Sequence, residues 1–421
     1  MTRSSRSPDP RLSLGVTAVG AILFVVLALL LVPWHWVPGG HYVHVDPRNV
    51  FTADEIRRGS HYSSMQRHLA WTSYAVSIVV LLVLGFTRWG RHLVAALPGP
   101  WWIRTPLAVA AVLVIGEVAT VWFAIRMQEH ALAYGLSTQA WAGWWYDLGL
   151  GLIVNWVGTT IAVVALIASV RLAPRRWPAV VALLAVALGV LGSFVYPVLV
   201  QPLFNNFTAL PKGELRTQIM QIASREHVHV KDVLVADASR QTTTLNAYVS
   251  GFGSTRRVVL YDNTVRDLPR RQILVIVAHE LGHAHHDDVA IGTALGAAGG
   301  IAGVGLLGLV LGTGWVRRRA GIDDPQELGG AHVVPLVLAL AAVATFLVSP
   351  VENAISRDIE ARADRASIEA THDYRAFTDV QRRLATSSLA DPTPPRLSQF
   401  WWGTHPSALQ RIGIADALQD R

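Results

Sequence analysis

The sequence predicts a mostly α-helical, polytopic membrane protein that carries a small α+β unit outside the lipid. Three observations predict it. The 421 residues are 52% hydrophobic and only 15% charged, which is too apolar for an ordinary soluble domain. Apolar stretches near the length of about 20 residues needed to cross a bilayer recur along the chain. Between residues 201 and 270 the pattern changes to one amphipathic helix and several short β-rich runs.

Taken in order, Leu12 to Val32 is the first span, closed by Pro33, Trp34 and Trp36 at an interface. No small-residue cleavage site follows it, so a retained span is expected in place of a cleaved signal. Thr52 to Arg67 predicts a surface helix, with Thr52 as N-cap and Asp54 and Glu55 in the first turn. Four more spans fall at about Leu69–Phe86, Pro106–Ile125, Leu148–Val170 and Pro178–Val200. Residues 1–200 are thus expected to be a five-span membrane domain, and 201–421 a second domain with two further spans, about 289–311 and 333–348. In the second domain, Glu214–Glu226 has helical spacing, and Val228–Val230, Val233–Ala236, Leu245–Val249 and Val258–Tyr261 read as strands. Gly251-Phe252-Gly253 is the turn between the last two. Leu245–Val249 reads either as an ordinary sheet strand or as an edge where a peptide pairs with Asn246, Ala247 and Tyr248. Gly292, Gly296 and Gly300 recur at fourfold spacing in the sixth span and predict close helix packing.

The chemistry centres on Val277-Ala278-His279-Glu280-Leu281-Gly282-His283. An apolar run without proline precedes it, so it lies on a helix, and His279 and His283 share one face a turn apart. Two imidazoles at that spacing suit one zinc ion, and the adjacent Glu280 suits a general base. The chain has no Cys, so thiolate ligands, disulfides and cysteine nucleophiles are excluded, and further ligands are His, Asp or Glu. Glu360 is the candidate third ligand. Asp364, one turn later, could orient a ligating His. The mixed charges Arg357, Asp358, Arg362 and Arg365 around them fit a solvated amphipathic helix equally well. His285-His286-Asp287-Asp288 reads as a solvated helix end or as a second metal site. The net charge of +7 is read as loop arginine beside membrane spans, with no nucleic-acid partner.

The chain resembles the type I CAAX prenyl proteases, integral-membrane zinc metallopeptidases of the yeast sterile-24 type, with bacterial HtpX proteases as relatives. The resemblance is carried by Pro202-Leu203-Phe204-Asn205, Leu245-Asn246-Ala247-Tyr248, Gly251-Phe252-Gly253, Arg257 to Asp262, His279 to His283, Ser356-Arg357 with Glu360 and Asp364, and Thr404-His405-Pro406 with Arg411-Ile412. It implies seven spans around a chamber, capped by a zincin-like unit. It implies one zinc on His279, His283 and Glu360, with Glu280 as base. His405 would stabilise the oxyanion, and Arg357 and Asp364 would support the site. The Thr242-Thr243-Thr244 run departs from the family's usual Ser/His-rich loop, which bears on substrate choice.

The expected activity is zinc-dependent hydrolysis of peptides or proteins at a cell membrane, with CAAX-type processing as the alternative. A transporter, with Glu117, Asp147 and Asn155 along a polar path, and a non-catalytic scaffold are the rivals from other classes. On orientation two readings stand. Twelve arginines on the N-terminal side, Arg3 and Arg6 among them, against five opposite place the catalytic unit outside. The resemblance implies the reverse.

Overall fold

The computed structural model describes residues 7–419, so Arg3 and Arg6 lie outside the described residues. Seven of its helices are long and apolar enough to cross a membrane. The first five are α1 (Pro10–Leu31), α2 (Ala53–Phe86), α3 (Trp101–Ala133), α4 (Trp141–Leu172) and α5 (Trp177–Val195). Leucines such as Leu29, Leu30 and Leu183 stay exposed on them, as lipid contact demands.

The predicted surface helix and second span are one rod. α2 has 34 residues, about 51 Å at 1.5 Å per residue, against a hydrocarbon core of about 30 Å. Nothing between Arg67 and Leu69 breaks it. Its start is the predicted one: the Thr52 hydroxyl accepts from the Glu55 amide, and the Glu55 carboxylate accepts from the Thr52 amide. α3 and α4 also outrun their apolar windows, because the polar, aromatic-rich residues around 126–146 continue the helices.

A π-helical stretch (Tyr196–Val200) leads out of α5. There follow β1 (Phe207–Ala209), α6 (Glu214–Arg225), β2 (Asp232–Ala236), β3 (Ala247–Ser250), β4 (Arg257–Tyr261) and α7 (Arg270–His285). The sheet order is β1-β2-β4-β3, with β2 and β4 parallel and the outer strands antiparallel to them. β3 is therefore an edge strand. The turn between β3 and β4 falls at Gly251, whose φ of 89° favours glycine. Val228–Val230 is not a strand. His227 takes a left-handed conformation (φ 54°) and the Val228 amide closes α6 on the Ala223 carbonyl, so this run buries its valines in the core without pairing. β1, which the residue pattern does not announce, takes that place in the sheet.

α8 (Asp288–Gly312) and α9 (Val334–Thr371) are the last two spans, and α10 (Tyr374–Ser387), α11 (Arg396–Trp402) and α12 (Ala408–Gln419) complete the fold. The glycine prediction on α8 needs correction. A Cβ at Gly292, Gly296 or Gly300 would meet nothing within 4 Å. The close packing is made by Gly305 and Gly308. A Cβ at Gly305 would collide with the Thr17 amide of α1, and one at Gly308 would sit 2.7 Å from the Ser13 hydroxyl. One core cluster joins the sheet, α6, α7, the end of α9 and α10, with Leu281, Ile219 and Phe377 fully buried.

Candidate active site

α7 and α9 build the site by packing side by side. Gly282 permits it: a Cβ there would lie 3.1 Å from the Ala366 Cβ, so a larger residue would drive α9 away. This approach brings Glu360 to the histidines of α7. His279 Nε2 lies 3.1 Å from His283 Nε2 and 3.2 Å from Glu360 Oε2, and His283 Nε2 lies 3.5 Å from Glu360 Oε1.

The outer nitrogens settle which atoms converge. His279 Nδ1 donates to Asp364 Oδ1 (3.0 Å) and His283 Nδ1 donates to Asp288 Oδ2 (2.8 Å). Both Nε2 atoms then present lone pairs to each other, which cannot bond without a proton or a cation between them. Glu360 Oε2 is buried beside them with no hydrogen-bond partner. The three side chains offer donor atoms within 4.8 Å of one another. Ligand separations around a tetrahedral metal with 2.0–2.1 Å bonds are about 3.3 Å, so the residues present fit a metal ion of that size.

Two arginines stand behind the carboxylates. Arg411 Nε donates to Asp364 (2.8 Å), which is fully buried, and Arg362 pairs with Asp288. No residue spacing singles out these two arginines or Asp288 as supports of the site. The His285–Asp288 run is not a second metal site: Asp288 serves His283, His285 bonds the Glu226 carbonyl and Asp287 pairs with Arg256.

Glu280 lines the same cavity as His283 and Glu360, and burial pushes its pKa up. Burial works against the charge of His279, but Asp364 and Glu360 outweigh it and raise its pKa to about 10. His405 reaches in from the segment after α11, with Nε2 3.2 Å from Glu360 Oε1. Its side chain stays 55% exposed, and Thr404 Oγ1 lies 2.9 Å from its Nδ1. Arg357 does not touch the histidines of α7. It donates to the Gln399 and Gly403 carbonyls (3.1 and 2.7 Å) and so holds the segment that carries His405. Asn246, Ala247 and Tyr248 stand at the sheet edge. Of that run it is the following residue, Val249, that reaches the cavity wall. The Asn246 amide is already taken by Thr264 (2.9 Å), and burial pushes Tyr248 up to about 12. Of the residues read as a polar path, Asp147 accepts from Gln139 and Gln241 and ties the membrane helices to the β3 approach loop.

Seven spans with a His-His-Glu group on the wall of a cavity define the class: an integral-membrane protein shaped to hold a metal ion. Known proteins agree with it. Residues 209–419 match peptidase family M48, and residues 45–206 match the CAAX prenyl protease N-terminal domain of five membrane helices. The chain belongs to peptidase family M48 and is a multi-pass membrane metalloendopeptidase. It is 29% identical over 385 residues, 88% of each chain, to a Bacillus subtilis (strain 168) protein described as the uncharacterized metalloprotease YhfN. It is 30% identical over 227 residues to an Arabidopsis thaliana CAAX prenyl protease 1 homolog, covering 53% of this chain and 52% of that one. The crystal structure of S. mikatae Ste24p has the same fold, with a TM-score of 0.75 at 16% identity, covering 96% of this chain and 99% of the other.

Proposed function

We propose that this metalloendopeptidase uses one zinc ion held by His279, His283 and Glu360, at the cell membrane, and cuts membrane-associated or unfolded polypeptides. One observation carries the reading. Both imidazoles are held from behind by carboxylates, so their Nε2 atoms face each other and the Glu360 carboxylate at 3.1–3.5 Å. Zinc bound there would supply a Lewis acid and a water of lowered pKa.

The chain's own groups do the rest. Glu280 takes a proton from the attacking water and returns it to the leaving amine. Its raised pKa brings both transfers nearer to neutral pH. His405 has the Thr404 hydroxyl on Nδ1, so it would turn an Nε2–H toward the oxyanion. Asp364 orients His279, and Arg357 orients His405 through the 399–403 backbone. The β3 edge around Asn246, Ala247 and Tyr248 receives the peptide as an added strand. The chain divides into a membrane unit, 1–200, and a peptidase unit, 201–421, which the matched segments 45–206 and 209–419 support. The names of several relatives favour a second reading, removal of residues from prenylated C-termini.

Metal analysis and peptide profiling test this together. Purified protein should hold about one zinc per chain. Glu280→Gln should keep it and lose turnover by about a hundredfold or more. Retained proteolysis in that variant sinks the mechanism, and cleavage confined to prenylated peptides selects the second reading.

A further inference from the structure

His405 stands on a stretch with no regular structure, after α11 ends at Trp402 and before α12 starts at Ala408. Its side chain is 55% exposed, so packing does little to hold it. A ring that must keep one place against a reacting group then depends on how its backbone is tied.

The backbone is tied on both sides. Downstream, Pro406 is buried. The Ser407 amide donates to Gln410 Oε1 (2.8 Å) and the Gln410 amide to the Ser407 hydroxyl (3.3 Å), which opens α12. Upstream, Asn353 of α9 donates to the Trp401 carbonyl (2.6 Å), and Arg357 of α9 holds the Gln399 and Gly403 carbonyls. The hydrogen bond that reaches the His405 backbone itself comes from Gln399, whose Nε2 donates to the His405 carbonyl (2.6 Å). A carbonyl only accepts, so the carboxamide must turn its nitrogen there.

The Gln399 side chain folds back over Gly403 to make that bond. A Cβ on Gly403 would sit 2.6 Å from Gln399 Cδ, 2.7 Å from its Nε2 and 2.7 Å from its carbonyl oxygen. The Gly403 φ of −78° is open to other residues, so it is the close approach that calls for glycine. Alanine there would push the carboxamide off His405 and press on the carbonyl that Arg357 holds.

We infer that Gln399 is a positioning residue for His405, and that position 403 is glycine so that the Gln399 carboxamide can reach the His405 carbonyl. This rests on the peptidase reading, in which His405 meets the oxyanion, and names the group that sets where its ring stands. Arg357 fixes the Gln399 backbone to α9, the helix of Glu360, and the Gln399 side chain carries that reference on to His405, whose Nε2 lies 3.2 Å from Glu360.

Full-length Gln399→Met keeps the length of the side chain and loses the donor. It should keep its metal, leave KM within about twofold and lower kcat by about tenfold. Gly403→Ala should do the same. The double variant should lose no more than the worse single one, because both break one contact. In a His405→Ala background Gln399→Met should cost nothing further, whereas a general weakening of the fold would add to the loss. Hydrogen exchange at residues 403–407, which needs no turnover, should quicken in both single variants while α7 stays protected. Unchanged kcat together with unchanged exchange in Gln399→Met overturns the inference, and so does an undiminished further loss of kcat in the His405→Ala background. If exchange quickens but kcat holds in Gln399→Met and in His405→Ala alike, Gln399 still positions the segment, and it is the oxyanion role of His405 that fails.

Discussion

The two histidines of α7 are held by clamps of the same kind and different origin. His279 rests on Asp364, which is wholly buried and held by Arg411 from the far C-terminal segment. His283 rests on Asp288, five residues further along, held by Arg362 of α9. The His279 clamp joins three distant stretches of chain. The His283 clamp is mostly local, and its imidazole is the more exposed of the two, at 20% against 9%. The more deeply buried imidazole is thus held by the long-range clamp, and the one on the cavity wall by the local clamp.

Removing what both clamps serve should have the largest effect. Glu360→Ala is expected to lose the metal and all activity, while Glu369→Ala, on the exposed end of α9, keeps both; metal content after gel filtration decides. If Glu360→Ala stays loaded, the third ligand lies elsewhere. Next comes the buried clamp. Asp364→Asn should weaken zinc by about a hundredfold and lower the melting temperature as well, since Arg411 is left unpaired. His405→Ala leaves both clamps intact, so it should keep zinc and lose about a hundredfold in turnover. An unchanged turnover number makes His405 structural. The local clamp should matter less: Asp288→Asn is expected to cost about tenfold in zinc affinity, read by chelator competition. Equal losses at Asp364 and Asp288 would remove the contrast between the clamps.

The smallest effect is a pH dependence. Metal binding needs neutral His279, whose pKa is raised to about 10 by Asp364 and Glu360 over the opposing effect of burial. Binding therefore expels a proton from His279 below pH 10, and affinity should rise with pH up to that value. Asp364→Asn removes one of the two groups that raise it and should flatten the slope between about pH 7 and 9. Calorimetry in buffers of different ionisation enthalpy measures the released proton.

Much of this is legible in the residues. The seven spans follow from apolar length, the Thr52 start from capping chemistry, and the shared face of His279 and His283 from helical period. The Gly251 turn comes from the same kind of local pattern, whereas the pairing order of the sheet decides that β3 is an edge. The failures share a cause. Val228–Val230 has the β propensity of a strand, but its valines are buried as loop anchors. Gly292, Gly296 and Gly300 have the spacing of a packing motif, and spacing does not say whether a helix or a cavity lies opposite.

By itself, then, the sequence determined the membrane class, the number of spans and the helix that sets His279 and His283 on one face, because each depends on a local property: hydropathy, period or capping. The tertiary structure alone decided which carboxylate meets which imidazole. His279 and Asp364 are 85 residues apart, from 279 to 364, and His405 is further still. Those pairings arise from the close approach of α7 and α9 at Gly282 and from the Arg357 anchor on the 399–403 backbone. Contacts of that kind follow from packing in three dimensions, which no periodicity along the chain encodes.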